Sequence, residues 1–352
     1  MNIGRGGTPG RFTLKGNNEM NQKLSKAVIG ATVLLLLAAF AQTANAQTYP
    51  NKPVKILVPF PPGGPTDLTA RTYAEKLTAQ MGQSFLVENR PGPNGIIVSN
   101  ATIAAPADGY TLAFTSVGGQ VLAPAINAYR NRPQEPDVQK LLVPVSLMVE
   151  TPLGIFVNPG LKINTVAELI AQMRANPGKW NNGSDGIGSS THLAEELFLS
   201  QLNLTSTHVP FKGTVDVMNA LVQGEIQWSI SGTGAPALPL HRQGRVKMIA
   251  VSGATRAPIL PEIPTVAEAA NLPGFEASSW FAIYVRAGTD RAIITALSSE
   301  IQKAAKLQDL IDKLGAFSLF AKGSSPEQLA ARVDTDYRKW SEVLKTAKVK
   351  FD

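Results

Sequence analysis

Short apolar runs and amphipathic stretches alternate along most of the chain. Val54-Lys55-Ile56-Leu57-Val58 is an apolar run of strand length, and it predicts a buried strand. Farther on, Tyr73, Leu77 and Met81 recur at helical spacing, which predicts an amphipathic helix over residues 68–81. Further strands are predicted at 85–90, 110–115, 142–148, 154–157, 208–213, 226–232, 246–251 and 278–285, and further helices at 96–105, 165–175, 193–202, 215–222, 290–303 and 326–347. Strands that alternate with helices indicate an α/β fold.

The connection at 59–68, between the first strand and the first helix, is rich in proline and glycine. Gly63 and Gly64 have no Cβ, so a ligand can approach the backbone closely. The helix start offers unpaired N–H groups and the positive end of a dipole, which together bind an anion such as a carboxylate or phosphate. The loop lacks a Gly-Lys-Ser/Thr sequence, which argues against a nucleoside triphosphate as the ligand. Asp67 can cap the helix but repels a bare anion, so a ligand carboxylate would share its donors or meet it through water.

Residues 180–192 repeat this design, because glycines and hydroxyl side chains collect before the helix predicted at 193–202. Other predicted strands also end in small or polar residues, namely Thr115-Ser116, Lys212-Gly213 and Ser231-Gly232. Ligands of an open α/β sheet bind outside the carboxyl ends of its strands. These segments are therefore candidates for a common binding site.

The first residues of the chain have the features of an export signal. Residues 20–26 are basic, residues 27–41 are apolar, and Ala44-Asn45-Ala46 matches a small-residue cleavage site. The apolar part is too short to span a membrane, and residues 1–19 show no folding signal. We expect cleavage after Ala46, a mature chain over 47–352, and a periplasmic location.

Composition excludes several classes of protein. The formal net charge is +7, of which residues 1–46 contribute four, so about +3 remains. This charge is small, and the sequence has no basic runs with interleaved aromatic residues, so it lacks the features of a nucleic-acid-binding protein. The chain has no cysteine, which excludes disulfides, thiol catalysis and thiolate metal sites. The mature chain is long enough to be held by its hydrophobic core, and we expect two lobes.

Catalytic and metal-binding candidates are few. The chain has three histidines, and it contains neither a Gly-x-Ser-x-Gly nor a His-Glu-x-x-His sequence. Gly186-x-Gly188-x-x-Thr191 resembles a dinucleotide-binding turn but lacks the third glycine. We therefore expect no catalytic residue, no cofactor and no metal. The segments that stand out would instead donate hydrogen bonds to an anion.

Several motifs occur in a fixed order along the mature chain. They are Tyr49-Pro50-x-Lys52-Pro53, Val58-Pro59-Phe60-Pro61-Pro62-Gly63-Gly64-x-x-Asp67, Val87-Glu88-Asn89-Arg90-Pro91-Gly92, Asp108-Gly109-Tyr110-Thr111-Leu112, Asn176-Pro177-Gly178-Lys179, Gly188-Ser189-Ser190-x-His192-Leu193-Ala194, Val209-Pro210-Phe211-Lys212-Gly213, Leu260-Pro261-x-x-Pro264-Thr265-Val266-Ala267-Glu268 and Ser279-Trp280-Phe281. In this order they resemble the solute receptors of tripartite tricarboxylate transporters, also called Bug receptors. Two segments differ from the family pattern. Residues 231–234 lack its aspartate, and residues 131–138 replace a Tyr-Asp-Pro segment.

The resemblance implies a two-lobed type II periplasmic binding protein, or Venus flytrap, that closes on a small carboxylate. Lobe 1 is expected to comprise 47–149 and 259–352, and lobe 2 to comprise 150–258. The proline-rich stretch 258–264 would be a crossing between them. The resemblance also implies a monomer that binds no nucleic acid, performs no chemistry and delivers its ligand to integral-membrane transporter subunits.

The resemblance carries ligand-binding roles onto the loops and strand ends described above. The first-lobe loop would hold a carboxylate through backbone N–H groups and bridging water, and its residues are Phe60, Pro61, Gly63, Gly64, Thr66 and Asp67. The second-lobe loop contributes Gly188, Ser189, Ser190 and Thr191. The remaining cleft residues are Thr115, Ser116, Lys212, Gly213, Ser231 and Gly232.

Alternatives from other classes stay open at this point. A periplasmic sensor subunit could present its closed form to a signalling protein, and a hydrolase could use His192. The ligand could be a dicarboxylate, an aromatic carboxylate or an uncharged molecule such as nicotinamide.

Overall fold

A computed structural model describes residues 49–92, 95–133, 136–234, 236–347 and 349. The expected leader and the cleavage site after Ala46 lie outside these residues. In the part of the chain that is described, no helix is long and apolar enough to cross a membrane.

Strands and helices alternate along the chain, which confirms the α/β class. The strands are β1 Val54–Val58, β2 Phe85–Asn89, β3 Thr111–Ser116, β4 Leu142–Val157, β5 Asn181–Ser184, β6 Thr207–Pro210, β7 Trp228–Gly232, β8 Lys247–Val251, β9 Ser278–Arg286 and β10 Phe320–Ala321. The helices are α1 Pro65–Met81, α2 Ile96–Ala104, α3 Ala123–Tyr129, α4 Val138–Leu141, α5 Val166–Ala175, α6 Ser190–Leu202, α7 Thr214–Gln223, α8 Ala237–Arg242, α9 Val266–Ala269, α10 Arg291–Ala304, α11 Gln308–Gly315 and α12 Pro326–Thr346. A π-helical turn, Gly118–Leu122, precedes α3, and a 3₁₀ turn, Pro159–Leu161, follows β4.

The first sheet has the strand order β2-β1-β3-β9-β4, with β10 beside β4. Strand β1 is parallel to β2 and β3, and Ile56 pairs with Val87 on one side and Leu112 on the other. Strand β9 is antiparallel to both β3 and β4. The β1 side chains are buried except for Lys55, as expected for a strand with helices on both faces.

The second sheet has the order β7-β5-β6 on one side of β4 and β8 on the other. Strand β5 is parallel to β6 and β7, whereas β7 and β8 are antiparallel to β4. The parallel strands β5, β6 and β7 therefore end at the same edge, which is the edge that the sequence predicts to bind ligand.

Strand β4 belongs to both sheets. The sequence predicts two strands, 142–148 and 154–157, and this is wrong, because one strand runs unbroken from Leu142 to Val157. It pairs with β9 as far as Pro152 and with β7 and β8 from Leu153 onward. Pro152 has no N–H to donate, but its carbonyl oxygen accepts a hydrogen bond from Thr233 Oγ1 at 3.1 Å. A side chain thus satisfies the Pro152 carbonyl where the strand changes sheets.

The return to the first sheet occurs at Ala277–Ser278, where β9 begins. Leu260, within the proline-rich stretch, instead packs in the hydrophobic cluster of Phe156, Met218 and Leu221 beside the second sheet. Leu260 therefore packs beside the second sheet, and β9, the strand that returns to the first sheet, begins at Ser278.

The chain crosses between the sheets twice, at Pro152–Leu153 and at Ala277–Ser278, and Ser252 and Arg332 connect these two crossings. The Ser252 hydroxyl accepts from Leu153 N at 2.9 Å and donates to the carbonyl oxygen of Ala277 at 2.6 Å. Arg332 of α12 donates to Glu150 on β4 and to Glu276 just before β9, at 3.1 Å in each case. Helix α12 also packs against β4 and α6, so it spans both sheets.

We expect Ser252→Ala to destabilise the protein. The hydroxyl is fully buried, and its loss leaves an N–H and a carbonyl without partners, which costs about 1–3 kcal/mol. Ser200→Ala is the control, because that hydroxyl donates only within α6, to the carbonyl of Leu197. Urea unfolding of both variants measures the difference. Equal stability of the two variants would show that Ser252 does not hold the crossings together.

Candidate functional site

The first loop lies between β1 and α1, at the carboxyl end of β1. Helix α1 begins at Pro65 with Gly64 as its N-cap, one turn earlier than the sequence predicts. Thr66 and Asp67 therefore lie in its first turn. Gly63 has φ +87°, a left-handed conformation that favours glycine. The loop is accessible, since Pro61 and Gly63 are exposed.

Asp67 fixes this loop from within. Its Oδ2 accepts from Gly63 N at 3.0 Å and from Arg71 Nε at 2.9 Å, and its Oδ1 accepts from Asn89 Nδ2 at 2.8 Å. The residue is only 3% exposed. The same amide of Asn89 donates to the carbonyl of Phe60 at 3.0 Å. The carboxylate therefore points into its own loop and is neutralised by Arg71, which lowers its repulsion toward a ligand anion.

The pKa of Asp67 reflects this environment. Burial alone would raise it, but hydrogen bonds from Arg71, Gly63 N–H and Asn89, together with the Arg71 charge, hold the pKa below its ordinary value. Asp67 is therefore ionised at neutral pH, and its charge is used to order the loop.

The predicted first-sheet residues come together around the end of β3. Phe60 makes an edge-to-face contact with Phe281, with ring centroids 6.2 Å apart, and Phe281 pairs with Ser116 across β3 and β9. A Cβ added to Gly95 would lie 3.5 Å from Pro59 and 3.6 Å from Thr115 Oγ1. Pro59 and Thr115 thus both lie beside Gly95, and Phe60 contacts Phe281, the strand partner of Ser116. The Thr115 hydroxyl is buried and has no hydrogen-bond partner among the described residues.

The second loop lies between β5 and α6, and its own side chains hold it. Ser189 is the N-cap of α6, and its hydroxyl accepts from His192 N at 3.2 Å. Gly188 N donates to His192 Nδ1 at 3.1 Å, and Thr191 Oγ1 accepts from Asp185 N at 2.9 Å. Several predicted ligand donors are therefore used inside the loop. The Ser190 hydroxyl is partly exposed and makes no hydrogen bond within the described ranges.

His192 and His208 stack with ring centroids 3.9 Å apart. His208 Nε2 lies 2.7 Å from Ser184 Oγ. Burial, and then the His208 charge, lowers the pKa of His192 to about 3, and burial lowers the pKa of His208 to about 4. Both rings are neutral at physiological pH. Because His192 Nδ1 already accepts the Gly188 N–H, its place is that of a loop support.

Three strand ends of the second sheet meet at Asp185, a residue that the sequence analysis did not select. Asp185 follows β5, and both of its carboxylate oxygens lie 3.1 Å from Thr214 Oγ1, at the start of α7. A Cβ added to Gly232, at the end of β7, would lie 3.7 Å from the same Thr214 oxygen. The available signal was that Asp185 directly follows a strand, at the edge where ligands bind.

Gly213, Lys212 and Ser231 occupy different positions around this edge. Strand β6 ends at Pro210 rather than at 213, and Gly213 is the N-cap of α7. Lys212 is exposed and borders a groove of about 430 Å³ along α7, together with Asp216 and Glu225. The Ser231 hydroxyl is buried without a hydrogen-bond partner in the part of the chain described. Gly232 and Gly213 thus lie beside Thr214, whereas Lys212 lies along the helix.

Among the described residues, no group of three or more His, Asp or Glu side chains could hold a metal ion. The Asp67 carboxylate accepts from Gly63 N, Arg71 and Asn89, and the Asp185 carboxylate accepts from Thr214.

Comparison with known proteins identifies the class. A family model described as "Tripartite tricarboxylate transporter family receptor" matches residues 69–349. Protein BugT of Bordetella pertussis is 34% identical over 331 residues, covering 93% of this chain and 98% of that protein. The chain belongs to the tripartite tricarboxylate transporter receptor family, a family of periplasmic solute-binding receptors.

Solved structures agree with this assignment. Rpa4515 of R. palustris, solved with adipate, has a TM-score of 0.73 and 32% identity and covers 85% of this chain and 98% of its own. The periplasmic binding protein BugD has a TM-score of 0.70 and 29% identity, covering 86% and 99%. MatC from Rhodopseudomonas palustris with bound malate has a TM-score of 0.68 and 26% identity, covering 84% and 100%. The two-lobed periplasmic binding protein fold predicted from the sequence is confirmed.

We expect the contribution of Asp67 to stability to depend on pH. Because the pKa of Asp67 is lower in the folded state, its stabilising effect is complete above the ordinary value of 3.8. The effect is lost as the pH falls from that value through the lower pKa of the folded state. The free energy of unfolding of wild type should exceed that of Asp67→Asn by about 1–3 kcal/mol at pH 7. This difference should shrink below about pH 4. Unfolding free energies from pH 3 to 7 measure this dependence.

The control for this series is Asp334→Asn, which removes an exposed carboxylate paired with Arg338. Its effect should stay within about 0.5 kcal/mol. A gap between wild type and Asp67→Asn that is the same at every pH would contradict the charged, hydrogen-bonded state of Asp67.

Proposed function

We propose that this protein is an exported receptor that captures a small carboxylate, a dicarboxylate or an aromatic carboxylate, in a cleft between two lobes. It then delivers the ligand to the membrane subunits of a tripartite tricarboxylate transporter. The observation that carries this proposal is the presence of two glycine-rich loops, one at the carboxyl edge of each sheet, connected by β4.

The lobes proposed are 47–149 with 259–352, and 150–258. The change of partners along β4 between Pro152 and Leu153 supports the first boundary. The start of β9 at Ser278 favours a later return than residue 259. Helix α12 spans the two lobes, because it packs against both β4 and α6.

The first loop is the proposed carboxylate site. Thr66 N and Asp67 N lie in the first turn of α1, where helix N–H groups have no carbonyl partner within the helix. The helix dipole adds to their attraction for an anion. Arg71 already balances the Asp67 charge at 2.9 Å. The relatives solved with adipate and with malate support a carboxylate as the ligand class.

The complete proposed site includes this loop, the second loop and the strand ends beside them. It comprises Phe60, Pro61, Gly63, Gly64, Thr66, Asp67, Thr115, Ser116, Gly188, Ser189, Ser190, Thr191, Lys212, Gly213, Ser231 and Gly232. The hydroxyls of Thr115 and Ser231 are buried and have no hydrogen-bond partner within the described ranges. This supports the two strand ends as members of the site, since buried polar groups are normally hydrogen-bonded.

A thermal-shift panel tests the ligand class. Succinate, malate, adipate and benzoate represent the carboxylates, and nicotinamide represents an uncharged ligand. A ligand at 100 times its Kd stabilises a protein by about 2.7 kcal/mol, which for a chain of this size raises the unfolding midpoint by about 4 °C. We expect a rise of this size with at least one carboxylate.

Stabilisation by nicotinamide alone would contradict the carboxylate assignment. Pull-down of membrane transporter subunits with and without the stabilising carboxylate would then test delivery. Capture of a signalling protein instead would favour the sensor alternative.

A further inference from the structure

The second lobe presents a carboxylate at the centre of its proposed ligand-binding edge. Asp185 lies next to three parts of the proposed site: its backbone N–H donates to Thr191 of the second loop, its carboxylate accepts from Thr214 next to Gly213, and Thr214 in turn approaches Gly232. Three loops that follow three parallel strands therefore converge on this side chain.

The hydrogen-bonding capacity of Asp185 is largely unused. Both carboxylate oxygens lie near a single hydroxyl, that of Thr214. A hydroxyl has only one hydrogen to donate, whereas an ionised carboxylate can accept about four hydrogen bonds. Asp185 is only partly buried, so the remaining acceptor sites can be reached by a bound molecule.

No cation in the described part of the chain forms an ion pair with this carboxylate. Asp185 takes part in none of the ion pairs among the described residues. The acid nearby is Glu195, which is fully buried; burial first, and then the Asp185 charge, hold its pKa well above the ordinary value, so it brings no positive charge to Asp185. Lys212, in the neighbouring loop, lies along α7 instead.

Asp67 and Asp185, the two acidic residues of the proposed cleft, therefore differ in how far their charges are balanced. Asp67 accepts three hydrogen bonds from its own loop and is neutralised by Arg71. Asp185 accepts from one hydroxyl and has no counterion among the residues that the structure describes. The first lobe thus offers N–H donors to a ligand, whereas the second lobe offers an acceptor that carries a negative charge.

We propose that Asp185 determines specificity by accepting a hydrogen bond from a donor group, such as an amide or hydroxyl, at the end of the ligand opposite its carboxylate. The receptor then prefers a monocarboxylate with a distal donor over the plain dicarboxylate of the same length. This inference rests on the proposed function and narrows its ligand class. A distal carboxylate would place a second anion beside an uncompensated first one.

The pKa of Asp185 agrees with this assignment. Burial raises it to about 6, against the effect of the Thr214 hydrogen bond, as expected for a carboxylate that lacks counterions. At pH 8 the group is ionised and acts only as an acceptor.

Shape-matched ligand pairs test the proposal at pH 8. Each dicarboxylate, succinate, glutarate or adipate, is compared with its own monoamide, which differs only by an amide in place of one carboxylate. Calorimetric titration measures binding to wild type, to Asp185→Asn and to Asp216→Asn. Asp216 is an exposed acid in the first turn of α7, so its variant controls for general removal of negative charge near the site.

We expect wild type to bind the best monoamide at least tenfold more tightly than its matched dicarboxylate. In Asp185→Asn this ratio should fall at least tenfold, with a gain in dicarboxylate affinity. In Asp216→Asn it should stay within about twofold. A tenfold change in affinity corresponds to about 1.4 kcal/mol.

A wild-type preference for the dicarboxylate would overturn the proposal by itself, even if Asp185→Asn failed to fold. A ratio unchanged in a folded Asp185→Asn would overturn it too. Binding of dicarboxylates with rejection of all monoamides would leave the proposed function intact and refute only the role of Asp185. The absence of binding by any carboxylate or monoamide would instead refute the proposed function.

Discussion

The structure depends on one strand that belongs to two sheets. Strand β4 pairs with β9 along its first part and with β7 and β8 along its last part. The change occurs next to Pro152, where Thr233 and Ser252 supply side-chain hydrogen bonds to the backbone. This arrangement fixes the carboxyl edges of both sheets relative to a shared element, and each edge carries one of the two glycine-rich loops.

Much of the fold follows from local patterns. The apolar run 54–58, the helical spacing after it and the N-cap Thr165, which accepts from Glu168 N, all lie where the sequence predicts them. Periodicity failed between 149 and 153, where it predicts a break between two strands, because β4 continues through this segment and exchanges β9 for β7 and β8 as its partners. Periodicity also missed the short helix α11, Gln308–Gly315, which lies between two longer amphipathic segments.

The candidate site shows a similar division. Both loops were predicted from sequence motifs. The structure places Phe60 and Thr115 near the end of β3, and Gly232 near Thr214. The sequence could not show that Gly188 and Thr191 use their polar groups within the loop, since these bonds depend on how His192 and Asp185 are oriented. Nor could it show that Asp67 is neutralised while Asp185 is not. That contrast arises from Arg71, one helical turn beyond Asp67, and from the absence of such a partner for Asp185 within the described residues.

The central claim is that a ligand is held between two lobes that close on it. Small-angle X-ray scattering with and without a carboxylate that raises the unfolding midpoint tests this most directly, with a compound that gives no shift as the control. We expect a smaller radius of gyration in the saturated protein, because the ligand favours the closed population. An unchanged radius of gyration at saturation would contradict it.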